Sequence, residues 1–307
     1  MPKLDFIKGV TQDMLNRPPR KNLIDGFVVT RSINILWAPA GTGKTEFMFA
    51  VAQLLLECGQ EIAYIDVDNA VDLLEDRGYK TILDKYKGRF TYVNADQFDM
   101  PKQGILEEMD GIRKRAVDNF YEDCVFILDS LKFFVDGDLY DEGKIQRLMG
   151  FCKSIRRCGG CVWLLNHATK KGDTMKGAQG LVDAADECWG MTVLPEDLEH
   201  WNYILTPEKV RLGQDKVYKV GFALNKKTYK LKRLDVEIAQ MTQDERETID
   251  KVTAALRDKE LTQGEIVVDL LGKTKGDRNT LAMLQKHEGR FWNIEKNGKE
   301  KKYKLAS

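Results

Sequence analysis

From Ser32 to Asn166 the chain alternates short, nearly all-apolar runs with longer stretches in which apolar residues recur at three- and four-residue intervals. The short runs predict strands buried on both faces, and the longer spacing predicts helices. Strands are expected at Ser32 to Ala38, Glu61 to Asp66, Phe90 to Val93, Cys124 to Asp129 and Cys161 to Asn166. Helices are expected near residues 44 to 58, 69 to 86, 104 to 119 and 141 to 158. This order predicts an α/β fold with a mainly parallel sheet, whose ligands gather at the carboxyl ends of the strands. After residue 187 the pattern turns to successive strand-like runs, Glu187 to Leu194, Trp201 to Thr206, Lys216 to Leu224 and Thr228 to Leu231. Such runs can extend the sheet as antiparallel hairpins.

Both ends of the chain read differently from this middle. Leu4, Ile7, Val10 and Met14 stand at helical spacing before Arg17-Pro18-Pro19-Arg20, so residues 1 to 20 read as a separate arm. Past a polar stretch from Asp235 to Asp244, Thr242-Gln243-Asp244-Glu245 opens a helix running to about Asp258. Leu261-Thr262-Gln263-Gly264-Glu265 opens a second helix, and Lys273 to His287 contains a third. Strand-like runs Phe291 to Ile294 and Lys302 to Leu305 follow, about a turn at Lys296 to Lys299. Three helices and a hairpin resemble a winged-helix domain. The expected organisation is an arm at 1–20, an α/β domain at 21–240 and a winged helix at 241–307.

Composition changes this picture little. Of 307 residues 43% are hydrophobic and 31% charged, which excludes a disordered chain. No apolar run approaches the ~20 residues that span a bilayer, and Met1-Pro2-Lys3-Leu4-Asp5 lacks the apolar core of a signal peptide. A cytoplasmic protein with no membrane partner is expected. The 48 basic and 48 acidic residues cancel, yet from Lys273 to Lys304 there are 8 Lys and 2 Arg against 1 Asp and 3 Glu. That local excess suits DNA. Of the 6 cysteines, Cys158-Gly159-Gly160-Cys161 forms a CxxC with no second pair at zinc spacing, so reduced, buried thiols are expected.

The chemistry starts at Ala38-Pro39-Ala40-Gly41-Thr42-Gly43-Lys44-Thr45, between the first apolar run and a helical stretch. A small-residue loop ending in Gly-Lys-Thr in that position is a phosphate-binding loop. Ala38 stands where the motif usually has its first glycine. Ala40, Gly41, Thr42, Gly43, Lys44, Thr45 and Glu46 are expected to bind the nucleotide, ATP, with Lys44 reaching its β- and γ-phosphates and Thr45 holding Mg²⁺. Cys124 to Asp129 has the form of a Walker B strand, which gives Mg²⁺ a second anchor in Asp129. Asp66 and Asp68 end the strand from Glu61, and either can act as general base, while Asp66 suits the capping of a helix near Asn69 equally well. His167 ends the strand from Cys161 and can bond a terminal phosphate. The loop behind it carries Lys170, Lys171 and Lys176, suited to a phosphate backbone or simply to solvent. Lys209 and Arg211 point to one side if extended, and can stabilise phosphoryl charge on a neighbouring subunit.

Taken together, these residues resemble the RecA-like ATPases over about residues 20 to 235, and within them the hexameric helicases of the RepA and DnaB type. Tyr64-Ile65-Asp66-Val67-Asp68-Asn69-Ala70 is similar to the strand that ends in that family's catalytic glutamate, which puts the role on Asp68, one methylene shorter. Asp129-Ser130-Leu131 resembles the Walker B end, Asn166-His167 the sensor position, and Lys209-Val210-Arg211-Leu212-Gly213 the finger between subunits. The resemblance implies an ATP-driven motor on single-stranded DNA and a homo-oligomeric ring, a hexamer in this class, with any primase or other replication protein a separate chain. Of its two channel loops, Phe134 to Gly143 is acidic and Ala168 to Gly177 is basic, so the second is expected to grip DNA. Rival expectations are a RecA- or RadA-like recombination filament and a nucleotide-gated DNA-binding switch.

Overall fold

The computed structural model describes residues 16–72, 78–135, 137–177, 179–194, 198–212, 218–297 and 300–306. Most of the expected arm, Asp136, Gly213 and part of the Lys296 to Lys299 turn lie outside them. Contacts divide the chain between Val236 and Glu237 into two compact units.

In the first unit a short hairpin, β1 (Asn22–Ile24) and β2 (Val28–Val29), precedes β3 (Ile33–Ala38) and α1 (Lys44–Glu57). Then come β4 (Glu61–Asp66), α2 (Tyr79–Lys85), β5 (Phe90–Asn94), α3 (Pro101–Lys114), β6 (Cys124–Asp129) and the single-turn α4 (Leu131–Phe134). The chain continues through α5 (Glu142–Arg157), β7 (Cys161–His167), α6 (Gln179–Ala184), β8 (Glu187–Val193), β9 (His200–Val210), β10 (Val220–Asn225) and β11 (Leu231–Leu234). Nine strands form one sheet in the order β11-β10-β9-β8-β3-β7-β6-β4-β5. From β8 to β5 every pairing is parallel, and β9, β10 and β11 add antiparallel pairs to the far side.

Alternation along each strand builds the two cores. On β3, Leu36 and Ala38 enter one face with Phe47, Phe49 and Leu55 of α1. Ile33, Ile35 and Trp37 enter the other with Ile145, Leu148 and Ile155 of α5. Strands covered on both faces must be apolar throughout, which is why they stand out in the sequence. The phosphate loop leaves the carboxyl end of β3, the strand from which the chain moves to β4 on one side and later returns to β8 on the other. In such sheets that is where ligands bind.

Several element boundaries differ from expectation. The expected helix at 69–86 is described only as α2, which begins after Gly78 in a left-handed conformation, φ 71°. Helix α3 starts at Pro101 rather than residue 104, because proline at the first helical position costs no hydrogen bond. Thr228 to Leu231 is not a strand: the Asn225 side chain accepts from Lys227 N, Thr228 N and Thr228 Oγ1, and the strand starts only at Leu231. Lys209 lies inside β9, not between two strands.

The second unit contains α7 (Val236–Ala239, which begins one residue before it), α8 (Gln243–Asp258), β12 (Leu261–Thr262), a π-helical segment (Glu265–Leu270), α9 (Arg278–Lys286), β13 (Trp292–Asn297) and β14 (Glu300–Leu305). Leu261 does not open a helix as expected. It pairs with Tyr303, and the helical segment begins at Glu265, whose carboxylate accepts from Thr262 N. The sheet order is β12-β14-β13, antiparallel throughout. Ile249, Val252, Leu256, Ile266, Leu284, Trp292 and Tyr303 form its core, and the Trp292 indole donates to Leu284 O at 2.8 Å.

All six cysteines are free thiols. Cys152, Cys158, Cys161 and Cys188 are buried, and Cys58 is exposed. Among the described residues no helix is long and apolar enough to cross a membrane.

Candidate nucleotide-binding site

Gly41 and Gly43 take φ of 74° and 85°, the left-handed values that curl the loop and turn its amides inward. Gly43 has a second reason to be glycine, since a Cβ there would stand 2.6 Å from the Tyr203 hydroxyl on β9. The Thr42 hydroxyl closes the loop by donating to Pro39 O at 2.7 Å. Lys44 is buried, and its ammonium donates to Ala38 O and Pro39 O, each at 3.2 Å. Burial pulls its pKa down, while Asp129, Asp68 and Glu46 oppose that shift.

Lys44 Nζ also lies 3.4 Å from His167 Nδ1. An ammonium can only donate, so Nδ1 is the acceptor and the imidazole proton sits on Nε2. That nitrogen faces Asp68 Oδ2 at 3.9 Å, too long for a direct hydrogen bond. His167 is the main influence holding the Asp68 carboxyl below its ordinary range; burial works against it, and Ser130 and Lys132 support it.

The two acids at the end of β4 take different roles. Asp66 is fully buried and accepts from Asp68 N, Asn69 N, Asn69 Nδ2 and the Tyr92 hydroxyl. Its oxygens are taken up by the turn after β4 and by Tyr92 of β5, a structural role, although no helix starting at Asn69 is described for it to cap. Asp68 is half-exposed and turned toward His167.

Asp129 accepts from the Thr45 hydroxyl at 2.7 Å and the Tyr64 hydroxyl at 3.0 Å. Burial, reinforced by the Asp66 carboxylate, pushes its pKa up to about 7 despite those two bonds. Two hard oxygens thus converge at the start of α1, a donor set that fits Mg²⁺. Among the described residues no group of three or more His, Cys, Asp or Glu forms a metal cage. A Mg²⁺ held by one or two protein oxygens and by substrate phosphates needs none.

Lys44, Thr45, Asp68, Asp129 and His167 therefore come together, while Lys209 and Arg211 lie elsewhere. Val210 pairs with Glu187, and Arg211 N donates to Asp186 O, whose own amide bonds Ile33 O at the start of β3. The two cations are at the opposite end of the strands from the loop, roughly 20 Å away at strand rise. Lys209 Nζ bonds Val182 O and Asp183 O at the end of α6. Neither cation can serve its own chain's site.

Three contributors escape a reading of the sequence: Tyr64, which holds Asp129, and Ser130 and Lys132, which act on Asp68. Tyr64 sits in an apolar strand and looks like core, which it also is.

A family model described as AAA domain matches residues 6–173, more than half the chain. No curated protein matches the sequence. Among solved structures, the flagellar accessory protein FlaH from Methanocaldococcus jannaschii is similar over 67% of this chain and 91% of its own, at 14% identity and a TM-score of 0.48. A KaiC-like protein from Pyrococcus horikoshii is similar over 69% of this chain and 94% of its own, at 15% identity and a TM-score of 0.50, a likeness of fold alone. The family match spans the phosphate loop, both acidic strand ends and His167, so the chain belongs to the AAA domain family.

Proposed function

We propose that the protein is a Mg²⁺-dependent ATPase that works as a ring on single-stranded DNA, a helicase or translocase of the replicative kind. The observation that carries this reading is how His167 is built into the loop behind it. Lys176 N donates to His167 O at 2.9 Å, Thr169 N to Thr174 O at 2.8 Å, and Asn166 Nδ2 to Lys176 O at 2.7 Å. The basic segment is thus a small closed hairpin, with Lys170 and Lys171 exposed at its tip and the phosphate-facing imidazole at its root. A group that feels the γ-phosphate and a group suited to a nucleic-acid backbone are one rigid piece.

In the proposed cycle the triphosphate draws the Lys44 ammonium from the carbonyls of Ala38 and Pro39, and the amides of residues 40 to 45 cradle the phosphates. Thr45 and Asp129 would hold Mg²⁺, which supplies charge neutralisation on the phosphate oxygens. Asp68 accepts the proton of the attacking water, and its lowered pKa keeps it ionised at neutral pH. His167, with Nε2–H 3.9 Å from Asp68, would bond that carboxylate as the two draw together over the nucleotide, and registers the change at the γ-phosphate. Lys209 and Arg211 act on the site of another copy, since their own is out of reach. Of the acids in the other candidate channel loop, Asp141 caps α5 by accepting from Lys144 N and Asp138 accepts from Tyr140 N. The second unit, with its local positive excess and the exposed Arg278, Asn279, Ala282 and Gln285 on α9, serves as a winged-helix DNA contact.

Replacing Lys170 and Lys171 together by alanine is expected to leave basal ATP hydrolysis near wild type while removing most of its stimulation by single-stranded DNA. Steady-state turnover with and without oligonucleotide checks this, and stimulation that survives the double variant sinks the hairpin as the DNA grip. Displacement of one strand of a forked duplex separates a motor from a recombination filament, which would pair strands instead.

A further inference from the structure

A cavity of about 440 Å³ opens between the phosphate loop, the basic hairpin, and strands β8 and β9. The loop and hairpin meet at its mouth, where a Cβ on Gly172 would stand 3.7 Å from Pro39 Cγ. The cavity adjoins the part of the molecule that attracts phosphate, yet none of its lining residues is cationic, and Asp173 and Glu208 bring two carboxylates. Phosphate is repelled from such a space, so what enters is an uncharged part of a ligand.

The walls say which part. Trp37 packs closely on β8, because Gly190 carries no side chain; a Cβ there would come within 2.8 Å of the ring. The floor is therefore smooth and apolar, suited to a planar ring. The polar groups around it are mostly acceptors. Thr42 and Thr192 have their hydroxyl protons engaged on Pro39 O and Ile204 O, so they offer lone pairs. Among the described residues Glu208 receives only a weak bond from the Cys188 thiol at 3.3 Å. An occupant that satisfies this rim must be flat, uncharged and rich in N–H donors.

We propose that the cavity seats a nucleobase bearing an exocyclic amino group, adenine, cytosine or guanine, with Glu208 and Thr206 taking its amino hydrogens, and that it disfavours uracil and thymine. The base comes either from the nucleotide in the phosphate loop or from the strand held by Lys170 and Lys171. Only the source, not the site, rests on the function proposed above.

Calorimetric titration of the full chain with adenosine and with uridine tests the site directly. Adenosine is expected to bind at least about tenfold more tightly, the value of a hydrogen bond to a charged acceptor. Glu208→Ala, at an exposed position, and Thr206→Val should each remove most of that preference. Equal affinities, or a preference unchanged in both variants, overturns the proposal. For the source, Glu208→Ala is titrated with ATP against Mg²⁺-tripolyphosphate, and with an all-adenine against an all-thymine oligonucleotide. Selective loss for ATP assigns the base to the nucleotide, and selective loss for the adenine strand assigns it to DNA. Hydrolysis and its DNA stimulation are measured separately, so failure of the motor reading leaves the nucleoside result intact.

Discussion

Asp68→Asn is expected to lower ATP turnover by about 10²–10⁴-fold, the usual span for removing a general base, while nucleotide affinity stays close to wild type. The asparagine keeps the shape of the carboxylate and its neighbourhood to His167 and Ser130 but cannot accept a proton. Asp66→Asn, two residues earlier, makes the contrast. There the carboxylate is buried and binds two backbone amides, Asn69 and the Tyr92 hydroxyl. Its amide replacement leaves at least one donor facing another donor, so the expected result is a loss of stability of about 1–3 kcal/mol, with activity lost only as the fold is lost. Single-turnover hydrolysis and denaturant unfolding of both variants decide the matter. If Asp68→Asn hydrolyses ATP like the parent, the base lies elsewhere and the reading of the β4 end is wrong.

Asp129→Asn is expected to do the opposite to stability. Below about pH 3 the carboxyl is protonated in both folded and unfolded chains, and up to about pH 4 the substitution changes little. Between the ordinary value of 3.8 and the folded value of about 7, the unfolded chain gives up its proton while the folded one keeps it, so the parent loses stability as pH rises. By pH 8 the cost of the buried charge reaches about 4 kcal/mol, at ~1.4 kcal/mol for each pH unit between those two values, and asparagine escapes it. The variant should therefore unfold at higher urea than the parent at pH 8, without nucleotide or metal, and at nearly equal urea at pH 4. ATP turnover should fall sharply, because the second anchor for Mg²⁺ is gone. A stability gap that does not widen with pH would remove burial as the source of the raised Asp129 pKa. The parent keeps a destabilising carboxylate where its chemistry needs one.

What could be read from the sequence follows from what each feature depends on. Strands β3, β4, β6 and β7 are buried on both faces, so their apolar runs are unbroken, and the phosphate loop is defined by residue types at fixed spacing. Those features are local. The distinction between Asp66 and Asp68 is not, because it turns on Tyr92 and His167, residues of other strands. Likewise, the sequence puts Lys209 and Arg211 on one side of an extended segment but cannot say that the antiparallel return of β9 carries them to the sheet edge away from the loop. Tyr64 shows the limit most plainly: its ring belongs to the core, and only the register of β4 beside β6 brings its hydroxyl to Asp129. The hairpin at His167 is legible in composition, through its lysines, but its closure rests on the Asn166 side-chain amide reaching Lys176 O, ten residues on in the chain, and on the Lys176 N bond to His167 O.

The thiols have a practical consequence. Cys152, Cys158, Cys161 and Cys188 are shut inside the molecule, Cys124 is half-buried, and burial raises the pKa of Cys124, Cys152, Cys161 and Cys188, so those four stay protonated near neutrality. Cys58 alone is exposed, and it ends the helix whose first residue is Lys44, about 21 Å away along the axis. A maleimide dye is thus expected to attach first to Cys58 on the native protein, at the foot of a rod whose head holds the phosphate loop, which gives the molecule a fluorescent reporter without engineering.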